Sequence, residues 1–291
     1  MNEKLEFNQD VAEERRLVIS LAGLGDGDEI AVNDVGWDSR VYVVNGGQFV
    51  FKFPRSEKVK SQYSLEIAAY RLMEGLDVPV EVPRVMWEHP ANGYFGYAGV
   101  VGIALDQVAS VLSNEEKRMI GERIGFFLGK LHGLRLEGAP HVTVDEEISE
   151  FQSKYEIARP AIWDRFKPAE QSRLESVILD ELPKALRSIG SDPVLCHGDL
   201  GYWNLVYRKG HGVGVIDFGD VGYYDGSKDF IGLDEGVSLE AALQAYGDGA
   251  KLRERIALRR KILPLLDLPY YLGKQNEAGI KSAISRIRQY L

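Results

Sequence analysis

The sequence predicts an α+β protein in two lobes, a small β-rich N-terminal one and a larger, mostly helical C-terminal one. Two observations predict this. Residues 29–55, EIAVNDVGWDSRVYVVNGGQFVFKFPR, alternate apolar and polar positions between Gly-containing turns, and Asn45-Gly46-Gly47 is a hairpin signal. From about residue 106 onward the apolar spacing becomes that of helices.

The elements follow in order. A helix is expected at about 8–22, capped by Asn8, then the loop GLGDGDE and three strands. A helix at about 60–75 carries Ile67, Tyr70 and Leu72 among its apolar positions, and VPRVMWEHPANGYFGYAGVVG supplies two more strands. SNEEKRMIGERIGFFLGKLHGL opens with Ser113 and Glu116 in capping-box spacing. It sets Ile120, Ile124, Phe127, Leu128 and Leu131 on one face. Further helices are expected at about 145–158, 168–189, 239–247, 251–268 and 277–290, with Pro183 and Pro264 as kinks. VLCHGDLGYWNLVYRKGHGVGVIDFGD, residues 194–220, interrupts them as strand, loop, strand, turn and strand. No internal repeat, low-complexity tract or flexible linker is visible.

Composition narrows the classes. Hydrophobic residues are 45% and charged residues 27%, an ordinary globular balance. No apolar run has the length of a bilayer span, and MNEKLEFNQDVAEERR is acidic, unlike a secretory signal. One cysteine cannot form an internal disulfide, which suits the cytoplasm. A net charge of −9 argues against nucleic acid or an anionic membrane as partner. Residues 192–235 hold eight acids against three bases, interleaved with Gly and aromatic residues, and this is read as a site for cations.

Within 194–220 lies the chemistry. His197-Gly198-Asp199-Leu200, then Asn204, then Asp217-Phe218-Gly219, keep the spacing of the protein-kinase catalytic loop and metal motif, apart from Gly198. Phosphoryl transfer needs a carboxylate to take the proton of the attacking hydroxyl, and an amide oxygen and a carboxylate to hold Mg²⁺ on the triphosphate. The hairpin between Leu205 and Ile216 brings Asn204 and Asp217 together. Lys52, in the strand FVFKFPR, needs a partner or bears the cost of desolvation, and Glu66 on the following helix can supply it. DVGWDSR, residues 34–40 with Gly36 and Ser39, would cover the phosphates, although it lacks the Gly-rich kinase pattern. GLGDGD is not a dinucleotide fingerprint, because a helix precedes it and a strand follows. Cys196 is read as a small buried hydrophobe, not a nucleophile.

With these motifs in place, the chain resembles the aminoglycoside phosphotransferase family, which shares its bilobal fold with protein kinases and choline kinases. The run from Gly36 through FKFPR to Glu66, FGYAGVVG, and LPLLDLPYYLGKQNEAG most resemble the aminoglycoside 2''-phosphotransferases, and the likeness covers nearly the whole chain. The resemblance implies a nucleotide-binding lobe at 1–97, a hinge at 98–102 and a helical lobe at 103–291. It implies Asp199 as catalytic base, Asn204 and Asp217 as Mg²⁺ ligands, Lys52 on phosphate held by Glu66, and the hinge backbone at Ala98 and Val100 reading the purine of ATP or GTP. His132 and Asp229 are implied as structural, Asp229 as a brace for the catalytic loop. Asp234 and Glu235, with Tyr271, are nominated for the substrate. Gly198 in place of arginine, and no A-P-E sequence downstream, argue against protein substrates.

The expectation is therefore a monomeric small-molecule kinase that phosphorylates a hydroxyl of an aminoglycoside antibiotic and so gives resistance. The polycationic acceptor would be drawn by the acidic cluster. The rivals are a kinase for a macrolide, choline or a metabolic sugar, and a non-catalytic kinase-like binding protein. Tyr202, Trp203, Tyr223 and Tyr224 would serve a choline cage. The full set of five core residues disfavours the non-catalytic reading.

Overall fold

The computed structural model describes residues 11–34, 38–89, 93–190, 192–247 and 249–291. Helix α1 (Val11–Ala22) leads into β1 (Ile30–Asn33), β2 (Ser39–Val44) and β3 (Phe49–Pro54). The expected cap Asn8 lies outside the described residues. After α2 (Glu57–Glu74) come β4 (Arg84–His89) and β5 (Tyr94–Ala98). The five strands form one antiparallel sheet in the order β1-β2-β3-β5-β4. Asn45, Gly46 and Gly47 all take positive φ in the β2–β3 turn, as the hairpin signal requires.

Strand β3 is apolar on both faces because both are covered. Phe51 and Phe53 pack with Tyr42 and Val18 of α1, while Val50 joins Tyr63, Ile67 and Tyr70 of α2 on the other face. Lys52 lies on the α2 face, in register with Phe95.

The second lobe opens with β6 (Ile103–Ala104) and the short α3 (Leu105–Val108). Helix α4 (Asn114–Leu131) has the expected capping box of Ser113 and Glu116. It packs closely on α8 (Val237–Tyr246): a Cβ on Gly121 or Gly125 would stand 2.2 Å from the carbonyl oxygens of Ser238 and Ala242. Between them in sequence run α5 (Val144–Ile162), α6 (Pro168–Ser176), α7 (Leu182–Ser188), β7 (Val194–Cys196), β8 (Leu205–Arg208), β9 (Gly212–Val215) and β10 (Gly222–Tyr224). Helices α9 (Gly249–Gly273) and α10 (Glu277–Arg288) follow.

A π-turn over Val177–Glu181 separates α6 from α7 just ahead of Pro183, which offers no N–H to an α-helical ladder. Pro264, by contrast, lies inside the continuous α9.

Two apolar clusters result. One runs from α2 through β8, β9 and Phe218 to α4 and α8, and so joins the lobes. Glu81 reinforces that junction by exchanging backbone hydrogen bonds with Val213 and Val215 of β9. The other is built by α5, α6, α7, α9 and α10.

Candidate active site

The catalytic loop is fixed from beneath. After β7 the chain turns at Gly198, whose φ is +89° and where a Cβ would lie 2.0 Å from the Asp220 carbonyl oxygen. Only glycine fits, which gives a physical reason for its standing where many kinases have arginine. Asp229, fully buried, accepts the backbone N–H of His197 at 2.8 Å and of Gly198 at 3.0 Å, and pairs with the His132 ring at 3.2 Å. Burial alone would raise its pKa, but the His132 ring and the Gly198 amide outweigh that and hold it low. His197 accepts the Asp199 N–H on Nδ1 at 3.3 Å, so its Nε2–H donates to Ile216 O at 2.9 Å.

Asp199 receives the Asn204 amide on Oδ2 at 3.0 Å and on its backbone oxygen at 2.9 Å. The Trp203 indole N–H reaches the same Oδ2 at 3.1 Å. The β8–β9 hairpin then returns the chain, with Ile216 N–H on Asn204 O at 3.0 Å, and delivers Asp217 beside the loop. Asp217 adopts φ +65°, the left-handed region that Asp tolerates better than bulky residues, and its N–H bonds the Tyr70 hydroxyl at 3.1 Å.

Lys52 completes the constellation. Its Nζ donates to Glu66 at 2.7 Å and to Asp217 Oδ1 at 3.0 Å. Burial would lower the Lys52 pKa, but Asp217 and Glu66 together keep the ammonium well above its ordinary value. For Glu66 burial is the larger effect, and it raises the carboxyl against the pull of Lys52. Lys52 lowers Asp217 in turn, whereas burial raises Asp199. Two carboxylates of one cleft are thus pushed apart, into a persistent anion and a more basic group.

Lys52, Glu66, Asp199, Asp217 and Ser39 line a single cleft of about 450 Å³. Asn204 adjoins it through Asp199. The Ser39 hydroxyl is already bonded to Tyr63, at 2.7 Å. Gly36 lies outside the described residues. Ala98 ends β5, and Val100 packs against Gly214; neither lines the cleft. The Asn204 amide nitrogen is spent on Asp199, which leaves its oxygen. Asp217 is half-exposed, with one carboxylate oxygen on Lys52. Two hard oxygen donors of this kind fit Mg²⁺.

The nominated substrate residues lie elsewhere. Asp234 and Glu235 line a separate groove against α9 and α10, and Arg260 holds Glu235 at 2.7 Å. Tyr271 packs on Gly279 of α10. Asp220 and Asp38, not singled out from the sequence, do line the cleft. Among the described residues His132, Cys196 and Asp229 form a metal-like trio, but all three are buried, and the ring and the carboxylate pair with each other.

Two lobes around a Lys-Glu-Asp cleft, with a hairpin between the catalytic loop and the second aspartate, make this a kinase-like phosphotransferase. Residues 29–258 match the phosphotransferase enzyme family, and the chain belongs to it. Its fold is similar to that of the gentamicin–APH(2'')-IIa complex (TM-score 0.72, 20% identity, covering 98% of this chain and 97% of the other). It is likewise similar to the GDP complex of wild-type aminoglycoside 2'-phosphotransferase-IIIa (0.74, 19%, 97% and 98%). Macrolide 2'-phosphotransferase MphH from Brachybacterium faecium is also similar (0.62, 19%, 94% and 98%). Among the described residues no helix is long and apolar enough to cross a membrane.

Proposed function

We propose that this phosphotransferase moves the γ-phosphoryl of ATP or GTP to a hydroxyl of an aminoglycoside, and so gives resistance to it. One observation carries the reading: Lys52 joined to both Glu66 and Asp217, facing an Asp199 held by Asn204, in one cleft. In the step, Asp199 accepts the acceptor's hydroxyl proton while that oxygen bonds to the γ-phosphorus. The bond from γ-phosphorus to the bridging oxygen breaks, and the nucleoside diphosphate leaves. Lys52 binds phosphate oxygens, and Glu66 keeps its ammonium in place. Asn204 and Asp217 are the residues that would hold Mg²⁺, which neutralises phosphate charge when bound. Residues 1–97 are taken as the nucleotide lobe, 98–102 as the hinge whose backbone at Ala98 and Val100, beyond the cleft lining, would meet the purine, and 103–291 as the acceptor lobe.

A cationic acceptor is supported by the acids around the base. A second hollow of about 390 Å³ shares Asp220 with the cleft and adds Glu150, whereas its Glu147 is paired with Arg259 at 2.7 Å. Asp234 stays a candidate contact, whereas Glu235 is already neutralised by Arg260. That neutralisation favours a second reading, a less charged acceptor such as a macrolide. A nucleotide-consumption screen with ATP and GTP against aminoglycosides, macrolides and choline decides between them. With the accepted substrate, Asp199→Ala is expected to lose ~10² to 10⁴ in kcat, with MgATP and MgGTP binding nearly intact. Near-normal kcat in that variant refutes Asp199 as base.

A further inference from the structure

Trp203 stands one residue before Asn204, and phosphoryl transfer as described above makes no use of it. Its indole N–H and the Asn204 amide converge on Asp199 Oδ2, at 3.1 and 3.0 Å. Among the described residues no donor reaches Oδ1. The fold makes room for this placement. A Cβ on Gly201 would stand 2.4 to 2.6 Å from the indole's six-membered ring, so only glycine lets the ring lie there. Gly201 is itself fixed by a bridge to Gly232, which gives the indole a rigid backing. Yet Trp203 remains 49% exposed. Core packing accounts for the part of the ring against Gly201. It does not account for the rest, since a large aromatic surface left in water beside a reactive carboxylate gains nothing from burial.

We propose that Trp203 is a positioning residue that turns Oδ1 of Asp199 toward the acceptor, and that its open ring is the surface on which the acceptor's sugar ring rests. The proposal rests on the reading of Asp199 as base. Two donors on one oxygen restrict rotation of the carboxylate and leave the other oxygen for the incoming hydroxyl. An open indole takes the C–H face of a sugar, and attracts an ammonium group carried on it. The acceptor class this fits is a ring-bearing amino sugar.

Two substitutions separate the indole's two duties. Trp203→Phe keeps a ring and loses the N–H. Trp203→Gln keeps an N–H donor and loses the ring. With gentamicin and kanamycin as probes and both nucleotides as donors, Trp203→Phe is expected to lower kcat about tenfold with the acceptor KM little changed. Trp203→Gln is expected to raise the acceptor KM about tenfold and to keep more of kcat. The nucleotide KM stays constant in both. Slow nucleotide hydrolysis measured without acceptor is expected to show the same kcat contrast, independently of the acceptor's identity. Equal losses in the two variants, or parental values in both, overturn the proposal. Asp199→Asn, measured alongside, locates the failure. If it turns over normally, the base assignment falls and Trp203 has nothing to position. If it is inactive while both Trp203 variants match the parent, only the role of Trp203 falls.

Discussion

At the scale of single residues, Asp229 shows how a buried carboxylate fixes the loop that carries Asp199. It has no exposure, and its oxygens take the amides of His197 and Gly198, the two residues that lead into Asp199. In Asp229→Asn one of these amides meets an N–H₂ instead of an oxygen. A buried donor left unpaired costs about 1–3 kcal/mol, so the variant should be less stable by at least that much and lose turnover as the loop loosens. The pH dependence has a definite sign. Because the folded-state pKa is depressed, the carboxylate's contribution is fully present above its unfolded value, about 4, and is lost as pH falls through the folded value. Urea melts at a series of pH values should show the gap between parent and Asp229→Asn narrowing below about pH 4. A gap that stays constant through that range would remove the carboxylate's charge from the account.

At the scale of elements, α4 and α8 meet through glycines. Gly125→Ala puts a methyl 2.2 Å from the Ala242 carbonyl oxygen, and the backbone must shift. A cost of about 1–3 kcal/mol is expected from such overpacking. Gly129→Ala, one turn on, meets nothing nearer than 3.9 Å, and should stabilise by about 0.5–1 kcal/mol through the gain in helix propensity. Thermal melts of the two single variants should move in opposite directions. Elements were legible in the sequence where the signal is local: the Asn45-Gly46-Gly47 turn, the Ser113/Glu116 box, the apolar face of α4. Strands β6 and β10, of two and three residues, are too short to show any period, and they exist only through partners supplied by β8 and β7. The same rule divides the site. Asp199, Asn204 and Asp217 flank one hairpin, so their spacing is their geometry. Lys52 and Glu66 sit on consecutive elements. The pairing of Glu235 was not legible in this way, because Arg260 reaches it from a helix twenty-five residues on, and a local charge count does not include it.

At the scale of the molecule, α9 ties the outer helical cluster to the segment after the catalytic hairpin. Arg259, buried, bonds Glu147 of α5 at 2.7 Å, Ser227 at 3.0 Å and Asp225 at 3.4 Å. Arg255 adds a second contact to Asp225 at 3.4 Å. Removing one partner from a buried ionic cluster costs about 3–5 kcal/mol, because the remaining charges lose compensation. Arg259→Met should therefore lower the urea midpoint strongly while the KM for nucleotide changes little. A midpoint equal to the parent's would mean that apolar packing alone holds the helical cluster in place.

The bridge at Lys52 has a thermodynamic consequence of its own. The ammonium already has two carboxylate partners, one from α2 and one reached across 165 residues of chain. On the reading proposed above, nucleotide capture at this position would be a swap of partners: the lysine would release Asp217 and take phosphate oxygens, freeing that carboxylate for Mg²⁺. Measured affinity then reports the difference between two ion pairings, so it understates the strength of the new one. The heat of binding should be correspondingly modest. On the same reading, the swap run backwards would re-pair the lysine with Asp217 as the diphosphate leaves.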